Sequence, residues 1–209
     1  MTASQSGRRL AVGLVLVLGL GLPPVARVLE ADMVGHVVVQ LPLLVLAGWL
    51  IGTALGTATG VRALLDDWNA AGIPGLLTAL FTALFWMLPR SLDQALVDPA
   101  TELAKFASMA LLIGLPLSLS WPRLPAILRG FVWAQLVSML AILGWLYLDA
   151  PVRLCNSYLI GQQVMLGRVL LAISTAIALY WTGHLFFRGA GGAQPRRWSK
   201  STLQENSNA

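Results

Sequence analysis

Six apolar runs alternate with short polar punctuation along the chain, over residues 10–28, 34–54, 73–88, 103–121, 127–148 and 158–187. Their lengths suit helices, since a membrane-crossing helix takes roughly 20 apolar residues and a barrel strand about ten alternating ones. The breaks carry turn chemistry: "GTATG" ahead of Val61, "AAGIPG" around Gly72, "LPRSLDQALVDP" beyond Trp86, "WPRLP" at Trp121 and "DAPVR" at Asp149. The pattern predicts an all-α, polytopic integral membrane helix bundle of six spans over residues 1–187. A basic, Gly/Ser-rich tail over 188–209 is expected to be disordered and cytoplasmic. The first run begins with Arg8 and Arg9 before a short apolar centre, the outline of a signal peptide. Its apolar stretch continues through Ala26 and Val28, so an uncleaved first helix is the expectation and cleavage the alternative.

Composition removes the soluble alternative. The 209 residues are 57% hydrophobic and 11% charged, where a soluble domain carries about 25% charged residues. Mean hydropathy is +0.74. The net charge of +5 comes from basic residues scattered between apolar runs, so it is a topology signal and not a nucleic-acid footprint. With six spans, one side holds Arg8, Arg9, Arg62, Arg123, Arg129, Arg188, Arg196, Arg197 and Lys200. The other holds Arg27, Arg90, Lys105 and Arg153, together with Glu30, Asp32, Asp93, Asp98, Glu102 and Asp149. Excess Lys and Arg marks the cytoplasmic face, which puts both termini in the cytoplasm and His36 at the outer end of the second span. A single cysteine, Cys155, excludes an internal disulfide.

Three polar stripes descend from that outer face at i, i+3 or i+4, and i+7: Met33, His36 and Gln40; Glu102, Lys105 and Met109; Tyr158, Gln162 and Met165. Trp86, Met87 and Arg90 end the third span at the same level, and Trp145, Tyr147 and Asp149 the fifth. A shared outward-facing polar pocket is expected between them. Imidazole, thioether and thiolate donors suit Cu(I), which makes His36, Met33, Met87, Met109, Met165 and Cys155 the candidate ligands. Each has a plainer role available: methionine fills gaps in helix packing, a buried cysteine behaves as a small apolar group, and a histidine can bond across helices.

Arg168 lies ten residues beyond Tyr158, about 15 Å along a helix. A charge so deep is costly and is expected to face the bundle interior, with Gln135 as its first candidate partner and Gln162 its second; the structural alternative is that Arg168 snorkels along a tilted helix. His184 and most tryptophans fall at segment ends, as in any aromatic belt.

The stretch over 85–121, "FWMLPRSLDQALVDPATELAKFASMALLIGLPLSLSW", resembles a segment of CtaG-like assembly factors of caa-type cytochrome c oxidases. The frame is carried by Trp86, Leu88, Pro89, Leu92, Asp93, Ala95, Leu96, Pro99, Trp121 and Pro122. "DMVGH" is similar to that family's Met/His-rich helix entry, and Tyr158, Gln162 and Gln163 sit close to its Tyr and Gln register. The resemblance implies a membrane assembly factor for a haem-copper oxidase, handling or presenting copper at the outer face. Oxidase subunits or periplasmic copper carriers would be its partners, besides lipid. Met87, Glu102, Lys105 and Phe106 stand where the family has histidines, leaving His36 as the best single ligand candidate. No nucleophile and base pair, metal-hydrolase spacing or phosphate loop points to an enzyme. The rival readings are a transporter lined by Arg168, Gln135 and Glu102, and a structural scaffold subunit.

Overall fold

The computed structural model describes residues 3–191, and these are helical and turn segments without a strand. Nine helices follow in chain order among the described residues: α1 (Ala3–Leu20), α2 (Pro23–Glu30), α3 (Gly35–Leu55), α4 (Thr59–Trp68), α5 (Ile73–Trp86), α6 (Pro89–Ala95), α7 (Pro99–Ser120), α8 (Ala126–Asp149) and α9 (Ile160–Gly191). The expected tail falls, from residue 192 on, outside the described residues.

Four helices are long and apolar enough to cross a membrane: α3, α7, α8 and α9, the last over Ile160–His184. Six continuous spans are therefore not what the chain forms. The first run breaks where Gly21 precedes Pro23 and Pro24, and α2 leaves α1 at 70°. The third run is only the 14-residue α5, preceded at 85° by the amphipathic α4. Gly72 makes that second corner with φ of 73°, a conformation that a residue with a Cβ adopts at a cost. Counting each bent pair as one crossing restores six passes.

Two of the spans contain wide, π-type turns, over Gly35–Gln40 in α3 and Met109–Gly114 in α7. Each is followed by Leu and Pro (Leu41 and Pro42, Leu115 and Pro116). Proline has no N–H for the carbonyl four residues earlier, and the helix ladder widens ahead of it. In an apolar setting, the chain keeps its backbone bonds by changing turn type rather than opening.

Small residues set how the spans meet. A Cβ on Gly48 would overlap the Ala110 carbonyl, one on Gly52 would meet Ser118 and Leu115, and one on Gly114 would meet the Val45 carbonyl. This close approach of α3 and α7 organises a four-helix group in which α1 packs on α3 and α5 on α7. α8 and α9 form a separate hairpin, crossing where Gly144 and Gly167 face each other. Of the 24 residues in α8, only Gly144 and Tyr147 are buried. The hairpin meets the four-helix group through Met33, Val34, Val37, Val38, Leu96, Tyr158, Leu166 and Leu170.

One end of the molecule gathers Glu30, Asp32, Asp93, Asp98 and Asp149 and is called the acidic end here. At the opposite, basic end, Ser6 bonds the Ala54 carbonyl, Arg123 pairs with Asp66 at 2.6 Å, and the Asn69 amide donates to Ser120 Oγ.

Candidate functional site: a buried lysine at the acidic end

Lys105 reaches its position because Asp98 caps α7. The Asp98 carboxylate accepts the Thr101 N–H, Pro99 occupies the first turn, and Lys105 follows two turns later on the inward face. The cap holds the Asp98 carboxyl below its ordinary value through the Thr101 hydroxyl and N–H. Lys105 is fully buried, as are His36 and Gln40 from the wide turn of α3. The corner after α1 lays α2 across this end, and α2 finishes on Glu30 above them.

The Lys105 ammonium has three protons and three acceptors. Nζ lies 2.6 Å from Glu30 Oε1, 3.2 Å from His36 Nε2 and 3.5 Å from Gln40 Oε1. Gln40 Nε2 in turn donates to Glu30 Oε1 at 3.0 Å. The Tyr158 hydroxyl donates to the Glu30 carbonyl at 2.9 Å, so its oxygen accepts from His36 Nδ1, also at 2.9 Å. These directions fix the tautomer: the proton is on Nδ1 and the Nε2 lone pair faces the ammonium. The cluster closes on itself, with five side chains from α2, α3, α7 and the 150–159 connection. Burial and the nearby Glu30 charge push the Tyr158 hydroxyl well above its ordinary value, which keeps it a donor.

Around it, further bonds fasten the hairpin to the four-helix group. Asp93 accepts the Asn156 and Ser157 N–H groups at 3.1 and 2.9 Å. Burial raises its carboxyl, but these bonds outweigh that and hold it below its ordinary value. Gln162 Nε2 donates to the Ala31 carbonyl. Gln163, buried, accepts the Leu154 N–H and donates to the Tyr147 carbonyl. Cys155 is buried, its thiol directed at the Pro89 carbonyl and pushed up to about 11 by burial and the Asp93 charge.

The three sequence stripes do meet at one end, but as a closed cluster and not as an open pocket. His36, Gln40, Lys105 and Tyr158 come together, with Gln162 beside them. Glu102 does not pair with Lys105, whose carboxylate partner is Glu30. Met165 is 54% exposed, and Arg90 is exposed. Trp86 is buried on α5, donating to Ser108 Oγ at 2.7 Å. Arg168 departs furthest from expectation. It is exposed and makes no hydrogen bond or ion pair among the described residues, and Gln135 is not its partner. Its face of α9 is opposite the one that meets α3 and α8.

The expected copper donors are not brought together as one set. Both ring nitrogens of His36 are engaged, and the one with the lone pair looks at an ammonium, which repels a cation. Met33 packs with Tyr147 and Cys155, while Met109 packs with Trp86 and Phe106 in another apolar cluster. Met87 lies half-buried at the end of α5, apart from both clusters. Among the described residues, no three His, Cys, Asp or Glu side chains are grouped as a metal ion would need.

Glu30, the carboxylate partner of Lys105, belongs to none of the three sequence stripes. Its one signal was an acid closing a short amphipathic segment behind a double proline.

Fold and site together define an all-helical, membrane-type bundle with an ion pair buried at one end. The chain matches no family model, no curated protein and no solved structure in the three comparisons made.

Proposed function

We propose that the chain crosses a bacterial inner membrane six times with both termini in the cytoplasm, and acts as a non-catalytic assembly or docking factor of the CtaG-like kind for a haem-copper oxidase. The observation that carries the scaffold role is the saturated Lys105 cluster. Each of its ammonium protons is used, its histidine offers no free lone pair, and it ties four segments into one rigid outer end. Such a cluster suits a surface that must hold its shape for a partner. The oxidase as target rests on the resemblance over 85–121, and copper, where it is handled, belongs to the partner and not to these side chains.

A transporter would need polar groups continuing toward the basic end. Past Lys105 the buried positions of α7 are Phe106, Met109, Ala110, Ile113 and Gly114, with Ser118 and Ser120 only at its basic end, and those of α3 past Gln40 are Leu41, Leu44, Ala47, Gly48, Ile51, Gly52 and Ala54. The polar stripe stops after about two turns, which favours the scaffold.

Deletion of the gene in its host, followed by haem spectra and oxidase activity of the membranes, tests the reading. Loss of mature oxidase, restored by the wild-type chain, is expected, and the purified protein should take up no stoichiometric Cu(I) in titration. Full oxidase assembly without the protein would refute it.

A further inference from the structure

The lone charge in the hydrocarbon-length part of α9 faces outward. Positions 163, 166, 167, 170 and 174 are buried and share one face of the helix, against α3 and α8. Arg168 falls on the opposite face with Gly161, Met165, Ala172, Thr175 and Leu179, all exposed. It lies eight residues past Ile160, about 12 Å along the axis, within a 25-residue apolar span. Charged residues in spans almost always turn to a bundle interior and a partner. This one has neither among the described residues.

The geometry points to the Arg168 face of α9 as a docking surface for a transmembrane helix of another polypeptide that carries a carboxylate in its outer half. A guanidinium in a dry environment calls for a planar, two-oxygen acceptor, which a carboxylate supplies as a fork-to-fork pair. The neighbours are suited to a helix: Gly161, Ala172 and Thr175 are small enough for close backbone approach. A second copy of this chain does not fit. Its spans carry no Asp or Glu at that depth, Glu102 and Asp149 being at helix ends, and a two-fold pairing through this face would set arginine toward arginine. A lipid phosphate is at headgroup level, and Arg168 would have to stretch along the helix to meet it. The inference rests on the membrane-spanning reading of α9, and not on the oxidase as target.

The test uses the full chain in phosphatidylcholine nanodiscs, after salt and alkaline washing has confirmed membrane integration. Failure at that washing step would refute the membrane reading itself. The probe is a synthetic Leu/Ala transmembrane peptide with one Glu in its third turn, against the same peptide with Gln, and energy transfer reports association. The Glu peptide is expected to bind about tenfold more tightly than the Gln peptide, and Arg168→Gln should abolish the difference while leaving thermal unfolding unchanged. Three results would overturn the inference: equal binding of the two peptides, a difference that survives in R168Q, or Arg168-dependent self-association. Arg168-dependent retention of phosphatidylglycerol in native mass spectrometry, with no peptide discrimination, would assign the residue to lipid instead. Oxidase co-purification is read separately, so the surface and its proposed biological target fail independently.

Discussion

Replacing Lys105 by methionine removes the hub of the buried cluster while roughly keeping its volume. Three interactions go at once. His36 Nε2 and Gln40 Oε1, both on fully buried side chains, lose their donor, and an unsatisfied buried acceptor costs about 1–3 kcal/mol. Glu30 loses its cation, but its side chain is 13% exposed and keeps the Gln40 amide, so part of its charge is met by water. Taken together, Lys105→Met should cost about 3–5 kcal/mol, the range for removing one partner of a buried pair. For a chain this size that is roughly 6–20 °C in Tm. Cys155 is the single cysteine and is buried, so a thiol-reactive dye reports the melt without an introduced cysteine. Glu30→Gln should also destabilise, by leaving the ammonium without its counter-ion. The double variant should be less destabilised than the sum of the two by about 2 kcal/mol, because neither charge is then left alone. A cost below about 1 kcal/mol for Lys105→Met, with strictly additive singles, would refute the buried ion pair.

Asp93→Ala should loosen the 150–159 connection, seen as faster Cys155 labelling under native conditions with little change in global Tm. Its folded-state carboxyl is held below the ordinary value of 3.8, so its contribution is present above that value and is lost as pH falls through the lower folded one; the connection should therefore loosen in the wild-type chain only in acid, read as faster amide hydrogen exchange over 150–159. The Cys155 thiol, raised to about 11 from 9.0, should alkylate slowly at pH 8 and at the ordinary thiol rate once unfolded. Because its folded value is the higher one, the stability it lends should decline as pH climbs past 9.0 toward 11. Gly48→Ala, which meets the Ala110 carbonyl, should destabilise by about 1–3 kcal/mol or more, while Gly19→Ala, with open space around it, should be neutral or slightly stabilising in the same melt.

Much of the site was legible because the acidic-end stripes repeat at helical spacing and stand out against apolar neighbours. Met33, His36 and Gln40 could be placed at one end with Lys105 and Tyr158 by counting alternate crossings. Glu30 could not, since its position depends on a 70° corner whose direction no local pattern encodes. The inward turn of Lys105 and the exposed side of Arg168 were hidden for a related reason. A span that is apolar all round has no polar face to orient it, so its rotation is set by where glycines let a neighbour approach. On α9 that point is Gly167 against Gly144, which turns Arg168 outward. The wide turns in α3 and α7 add a further phase shift, and only their prolines announce it.

Lys105 and Arg168 pose one physical problem with two solutions. Both are cations on otherwise apolar helices, and each needs acceptors that the hydrocarbon region does not supply. For Lys105 the fold supplies all three, drawn from elements as distant in sequence as Glu30 and Gln40, and its burial is a consequence of the chain's own tertiary structure. For Arg168 the fold supplies none among the described residues, although Gln135 and Gln162 lie on the two helices of the hairpin. Had selection acted only on the stability of the isolated bundle, a leucine at 168 would serve that exposed face better. A cation held outward on the hairpin that packs least against the rest of the molecule is understandable when that hairpin is itself the part that meets another helix. The saturated cluster then has a mechanical consequence: Tyr158 and Gln162 anchor the start of α9 to Glu30 and Ala31, fixing the direction in which Arg168 is presented.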